Sequence, residues 1–315
     1  MLLFDRLKLV ASAKYATNIN ESKYQEIRKP NGMTIYKYTQ THPYSVYVSI
    51  NRSSDELVLE FTGKILQEEY QHLISTQNIQ NCLENISNLG ICTLDIESIM
   101  HRAEVCSCDV TKDIIFSVPM EKIKRHLKMC INNYDRWVME KYLNNGLVIR
   151  NSAKNQKYKK RLIVYDKSKE LARNENMDFL NSLSNKDDVL DYFKDKVRFE
   201  VNLTSKSQIR KRLGINDNKL LSVLQSDANP ILDIFDHAIT EKTIYSSQLN
   251  IYNKTEKLAL LEQCGFDLQA VEMRIRATTP KNFSIKRKMV PYRQLFEEIK
   301  RGDEVNTINL RSLLV

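Results

Sequence analysis

From residue 197 to 203 the chain reads Val, Arg, Phe, Glu, Val, Asn, Leu, apolar at every odd position and polar or charged at every even one. An extended strand keeps a period of two on fixed faces; a helix would scatter the same residues around its axis. One face therefore belongs to a core, and the other carries Arg198, Glu200 and Asn202. Three further segments repeat the pattern. Residues 56–61 set Leu57, Leu59 and Phe61 against Glu56, Val58 and Glu60. Residues 161–167 set Leu162 and Val164 against Arg161, Ile163, Tyr165 and Lys167, and residues 105–112 set Cys106, Cys108 and Val110 against Ser107, Asp109 and Thr111. Four such strands predict an α+β fold. Its central, mostly antiparallel sheet is covered by helices on one face and carries the active site on the other, with a helical C-terminal region.

The segments between them support this division. Residues 7–10 and 44–50 read as strands and 65–86 as helical. Pro119 opens a long amphipathic helix over 120–143, which Asn144-Asn145-Gly146 ends. Residues 147–149 and 162–167 read as a hairpin joined by a basic loop at 151–160, and 186–194 as a helix. After Thr204 helical periodicity dominates, at 208–213, 218–224, 231–239, 257–264, 268–276 and 291–301.

Composition narrows the function. The 315 residues carry 48 Lys+Arg against 39 Asp+Glu, a formal net charge of +9 that favours a polyanionic partner. No apolar run is long enough to cross a bilayer, and the first six residues meet charge too early for a signal peptide, so a cytoplasmic protein with no membrane partner is expected. Six scattered cysteines form no disulfide framework and no paired C-x-x-C, which implies reduced thiols. Cys106 and Cys108 read as buried apolar thiols beside Val110. With seven glycines and no phosphate-binding glycine loop, the sequence gives no support to an ATPase.

If the four strands share a sheet, the second face gathers Glu60, Asp109, Tyr165, Lys167, Arg198 and Glu200. On periodicity alone a simply solvated face is the more ordinary reading. The functional one is a set of carboxylates around a hard divalent cation, with a tyrosine beside them. A phenol of pKa ~10 is a poor nucleophile until a cation or metal favours its ionised form. The product would be a phosphotyrosine ester and a free 3′-hydroxyl, formed without ATP.

The run Arg161-Leu-Ile-Val-Tyr-Asp-Lys-Ser-Lys-Glu-Leu171, then Val197-Arg-Phe-Glu-Val-Asn-Leu203 and the basic helix to Leu213-Gly214, resembles the filamentous-phage gene II/X family of replication proteins. Asp109-Val110-Thr111 and Leu57-Val-Leu-Glu-Phe-Thr-Gly-Lys-Ile-Leu66 also fit it, so the resemblance runs from near the N-terminus to about residue 214. More distantly the chain is similar to plasmid rolling-circle initiators. The resemblance implies a site-specific endonuclease and strand transferase that nicks an origin and starts rolling-circle replication. Tyr165 would be the nucleophile, Lys167 a cation beside the phenol or phosphate, and Arg198 would orient Glu200 or grip a phosphate. Asp109, Glu200 and Glu60, in that order, would hold Mg²⁺ or Mn²⁺, with Glu170 a further acid. Origin DNA, single-stranded or supercoiled, and a host helicase and polymerase are the implied partners. One outstanding tyrosine favours two subunits sharing a round of replication, as a homodimer. Residues 1–204 would form the nicking domain and 205–315 a helical DNA-binding or accessory region.

Two departures stand out. The family favours arginine at the position of Ser107, and the chain has no His-x-His pair, so its metal site would be carboxylate-rich. Tyr134 and Tyr142, on the predicted long helix, are the competing tyrosines.

Basic segments supply candidate DNA contacts. Lys154, Lys157, Tyr158, Lys159, Lys160 and Arg161 precede the tyrosine strand, where phosphates could be held and a base stacked. Lys206, Arg210, Lys211 and Arg212 form a second cluster and Lys286-Arg287-Lys288 a third. Residues 257–276, around Gly265, read equally as a helix-turn-helix or as a packing hairpin. Two alternatives stay open: a non-catalytic origin-binding initiator that recruits host proteins, and a conjugative relaxase or transposase using the same chemistry.

Overall fold

Alternating strands of this kind satisfy their backbone groups only by pairing, and here they pair edge to edge into one large sheet. The computed structural model describes residues 2–28, 34–116, 118–132, 135–143, 145–153, 160–241, 255–280, 284–302 and 309–315. Its strands are β1 (Leu3–Ala11), β2 (Ala16–Thr17), β3 (Gln25–Arg28), β4 (Thr34–Gln40), β5 (Val46–Asn51), β6 (Glu56–Thr62), β7 (Thr93–Leu94), β8 (Glu104–Ile115), β9 (Trp137–Tyr142), β10 (Gly146–Asn151), β11 (Arg161–Asp166) and β12 (Lys196–Leu203). Ten of them form the order β3-β4-β5-β6-β1-β8-β12-β11-β10-β9, while β2 and β7 make a separate pair. Every pairing in the large sheet is antiparallel. The fold is α+β, as expected, with a helical C-terminal region.

The register explains the two faces. Leu7 pairs with Phe61 and Cys108, Val201 with Val110 and Leu162, and Phe199 with Val164. These side chains are all buried in the main core. Helices Ile79–Asn88, Met120–Cys130, Lys206–Leu213, Leu220–Leu224 and Pro230–Ala238 cover that face with Leu83, Ile123, Ile209, Leu220 and Phe235, among others. The change of character at Thr204 is thus a change of element type within one core. A separate apolar cluster begins with helices Thr255–Gln263, Leu268–Thr278 and Ile285–Gly302, which bury Leu261, Val271, Met289 and Phe296 together with Met129. Residues 257–276 therefore pack as two members of a three-helix cluster, turning at Gly265 and Phe266, both at positive φ.

Several expectations are corrected. The predicted helix over 120–143 stops at Cys130, and its second half is the edge strand β9, hairpinned to β10. Asn145-Gly146 is a hairpin signal as much as a helix stop, and the apolar spacing after residue 130 was over-read as helical. Residues 65–86 divide into a 3₁₀ segment, Gly63–His72, and the helix Ile79–Asn88. Pro291 lies inside the last long helix instead of opening it. Cys106 does not share the face of Cys108: Lys8 pairs with Ser107 and Leu9 with Val105, so Cys106 is the extra residue of a β-bulge and is only half-buried. Among the described residues no helix is long and apolar enough to cross a membrane.

The C-terminal helix Leu310–Leu314 is clamped to the main core by an acid. Glu241 accepts the backbone N–H groups of Leu310 and Arg311, at 3.0 and 2.8 Å, and lies 2.6 Å from His126 Nε2. Burial opposes protonation of His126, but Cys130 and Glu241 outweigh it and lift the imidazole to about 9. The folded chain thus holds a proton that the unfolded one releases above its ordinary 6.5, so this stabilisation is complete below 6.5 and is lost as pH rises through 9. Thermal melts at pH 6 and pH 9.5 should show a larger loss for the wild type than for His126→Gln.

Candidate active site

The face opposite the main core is not simply wet. The 3₁₀ segment Gly63–His72 and helices Lys167–Leu171, Met177–Ser182 and Lys186–Phe193 bury Tyr70, Leu171, Phe179, Val189 and Phe193 in a second apolar cluster. The 3₁₀ segment and helix Lys167–Leu171 border an open cavity of about 540 Å³, whose lining includes Asp5, His42, Lys64, Asp109, Tyr142, Tyr165, Lys167, Glu170 and Glu200. Four of the six predicted active-site residues meet here: Tyr165, Lys167, Asp109 and Glu200.

Tyr165 occupies β11 and is 5% exposed. Its hydroxyl donates to Glu200 Oε2 at 3.3 Å, while Glu200 Oε1 accepts from Asn202 Nδ2 at 2.8 Å. Burial, then the nearby Asp5 and Asp109 carboxylates, push the Glu200 carboxyl up to about 7; the Asn202 hydrogen bond and Arg198 act the other way. Burial also carries the Tyr165 phenol well above its ordinary range, against the pull of Arg198. The phenol is therefore neutral at rest, and a carboxylate poised near neutrality accepts its hydrogen bond.

Lys167 stands on the same wall, but from a helix instead of the strand. Asp166 caps that helix by accepting from the Lys169 N–H, which turns the chain immediately after Tyr165. The Lys167 ammonium lies 2.5 Å from Glu170 Oε2 and 5.9 Å from the centre of the Tyr165 ring. Burial and Arg198 disfavour its charge, yet Glu170, Tyr70 and Asp5 outweigh them and hold it protonated. In the same pair burial raises the Glu170 carboxyl, but Lys167 brings it down to about 2.

Arg198 has a different place from the one expected. It is fully buried, forks onto Asp113 at 2.7 and 2.8 Å, and donates a third hydrogen bond to Asp5 Oδ1 at 2.7 Å. It orients Asp5, not Glu200, and it does not line the cavity. Glu60 is also outside the cavity, held by Arg6 at 2.7 Å and Lys8 at 3.0 Å. Arg6 joins Glu60 to Asp109, whose two oxygens accept from its Nη2 and Nε at 3.1 and 2.8 Å, and it also donates to Ser107 Oγ.

Asp5 and Arg6 are residues that reading the sequence missed. Strict alternation would send Asp5 to the core with Leu7 and Leu9. It is instead the extra residue of a bulge, because Phe4 pairs with Val110 and Arg6 with Asp109, and the bulge turns its carboxylate onto the polar face. Arg6 and Lys8 were legible as the polar positions of an alternating strand. Tyr142, a competing tyrosine in the sequence, lines the cavity, but from β9 where a helix was expected.

The donor set suits a hard cation only in part. Among the described residues no three Asp, Glu, His or Cys side chains converge into a metal cage. Asp5, Asp109 and Glu200 nonetheless line one cavity, where the first two make Glu200 harder to ionise. Both Asp109 oxygens already accept from Arg6 and Asp5 Oδ1 from Arg198, so a Mg²⁺-like ion here would take at most one or two oxygens from these side chains and the rest from water and a substrate phosphate.

Of the predicted DNA contacts, Lys154, Lys157, Tyr158 and Lys159 lie outside the described residues, as does Tyr134. Arg161 donates from Nε to Asn202 Oδ1 at 2.6 Å, beside Glu200. The cluster at 206–212 does not line the cavity. Lys206 pairs with Glu104, Arg212 with Asp233, and Arg210 donates to Asn218 at 2.8 Å, while Lys211 is exposed. Comparison with protein-family models, with curated proteins and with solved structures finds no match.

Proposed function

We propose that the chain is a tyrosine nickase that initiates rolling-circle replication of the DNA element carrying its gene. The observation that carries this reading is the hydrogen bond from the Tyr165 hydroxyl to a carboxylate held near neutrality, in a cavity that also presents an ammonium. As the Tyr165 oxygen attacks the scissile phosphorus, its proton passes to Glu200. The P–O3′ bond breaks, Glu200 returns the proton to the departing 3′ oxygen, and the 5′ phosphate stays esterified to the tyrosine. The Lys167 ammonium is aimed at charge that builds on the phosphate oxygens. A Mg²⁺ or Mn²⁺ ion, held by Asp5 and Asp109, would supply further charge neutralisation at that phosphate. The freed 3′-hydroxyl is a substrate for a host polymerase, and origin DNA and a host helicase are the partners this activity requires. The formal charge of +9 supports a nucleic-acid partner.

Single-stranded oligonucleotides tiled across the DNA flanking the gene, incubated with Mg²⁺ or Mn²⁺, test the reading. The wild type should give a covalent protein–DNA band on a denaturing gel that Tyr165→Phe and a chelator each abolish. Binding without any adduct would favour the non-catalytic initiator. Cleavage of a transfer origin in place of a replication origin would favour the relaxase.

A further inference from the structure

We infer that Lys64 binds a second phosphate of the DNA strand, next to the scissile one, so that the cavity grips two consecutive phosphates. The inference rests on the nickase reading and deepens it by naming a further substrate-contacting residue. β6 ends at Thr62 and the 3₁₀ segment Gly63–His72 follows at once, so Lys64 stands where the chain leaves the sheet. Its side chain lines the cavity and is partly buried.

Lys64 differs from the other groups there that can carry positive charge. Lys167 lies against Glu170, Arg173 is 3.0 Å from Glu175, and His42 is 3.7 Å from Asp178. Among the described residues Lys64 has no carboxylate within ion-pair distance. Its ammonium donates instead to the neutral Asn176 Oδ1 at 2.8 Å and lies 5.5 Å from the centre of the Phe179 ring. Burial disfavours its charge and Lys167 adds to that, while Glu170, Asp5 and Glu175 offset only part, so the ammonium gives up its proton more readily than an ordinary lysine. Charges taken out of water are normally paired. A phosphate entering the cavity supplies the partner that Lys64 lacks.

The placement of this charge is also fixed. Asn176 is buried, and its Nδ2 donates to the Glu170 backbone oxygen at 2.7 Å and to Glu170 Oε1 at 3.1 Å, while Glu170 Oε2 holds Lys167. One buried amide therefore braces two ammoniums, with Lys167 beside the Tyr165 ring and Lys64 at the other end of the relay. Two cations braced this way suit two phosphates joined through one sugar, a contact that sets the register of the strand. A tie needed only for packing would be served as well by an uncharged donor to Asn176.

The test is a phosphate walk on the full chain. Oligonucleotides containing the cleavage site each carry one uncharged methylphosphonate linkage. They are assayed for adduct formation and, with Tyr165→Phe protein, for equilibrium binding. In the wild type, neutralising one phosphate adjacent to the scissile one should raise the strand concentration giving half-maximal adduct rate by about 10–100-fold, the usual worth of a hydrogen bond to a charged group. Binding to Tyr165→Phe should weaken by the same factor. Lys64→Met should show that loss on the unmodified strand and lose nothing more on the modified one, and Lys64→Arg should recover part of it. No penalty at either adjacent phosphate in the wild type would overturn the inference and leave the nickase reading standing. So would a penalty that persists in full in Lys64→Met, which would assign the contact to another cation. No adduct from any unmodified strand in the wild type would overturn the nickase reading and the inference with it.

Discussion

Glu200→Gln should lower the rate of adduct formation by about 10²–10⁴-fold, the usual worth of a positioned proton acceptor, while making the folded chain more stable above neutral pH. Both effects have one cause. Burial and the neighbouring Asp5 and Asp109 hold the Glu200 carboxyl at about 7 in the folded chain, against an ordinary 4.5. Between those values the folded state keeps a proton that the unfolded state has lost, so stability falls as pH rises from 4.5 through 7. Above 7 the wild type carries a buried carboxylate beside two others, and glutamine removes that cost while keeping the shape. Wild-type single-turnover rates should climb with pH and level off above about 7, following the ionised fraction of Glu200. Urea melts at pH 5 and pH 8.5 should show Glu200→Gln gaining on the wild type only at the higher pH. A variant as active as the wild type would remove Glu200 from the chemistry.

Arg198→Ala should destabilise the fold by about 3–5 kcal/mol, the usual penalty for stranding buried charges. Arg198 is fully buried, its fork satisfies both oxygens of Asp113, and its remaining arm holds Asp5. Its guanidinium carbon also lies 5.5 Å from the centre of the Phe193 ring, tying the second apolar cluster to the sheet. Removing it leaves two carboxylates on the polar face without their main cation. Arg198→Lys restores one charge but not the fork, so it should recover only part of the loss. Denaturant titration measures both variants, and Arg198→Met with Asp113→Asn, which removes both charges of the forked pair, should cost less than the single alanine change. Arg198 is on this account a positioning residue that acts through Asp5.

Much of this site was legible because a strand's period of two survives translation into structure. The alternation in residues 56–61, 161–165 and 197–203 assigned faces correctly, and β12 brings Arg198, Glu200 and Asn202 to one side as read, whereas Lys167 reaches the cavity from the helix that follows β11. Where the period breaks, the reading failed. The bulge at Asp5 adds one residue to β1, and no composition rule marks it. The second bulge, at Cys106, reverses the face expected for that thiol. β9 was hidden because its residues continue an amphipathic pattern begun on the helix Met120–Cys130, and tertiary pairing to β10 overrides that local signal. β3 and β4 went unread, although residues 34–40 alternate around Tyr36 and Tyr38. The role of Glu200 shifted for another reason: sequence showed an acid on the right face, but only packing shows that Tyr165 donates to it.

The most direct measurement of the central claim is to locate the covalent bond itself. Full-length protein would be reacted with the labelled tiled oligonucleotides and Mg²⁺ or Mn²⁺, digested with protease and nuclease, and the nucleotide-bearing peptide sequenced by mass spectrometry. The account predicts a nucleotide phosphate on Tyr165 in the first turnover, with the label lost in Tyr165→Phe. A nucleotide attached to a residue outside the cavity, or cleaved DNA with no attached peptide, would contradict it.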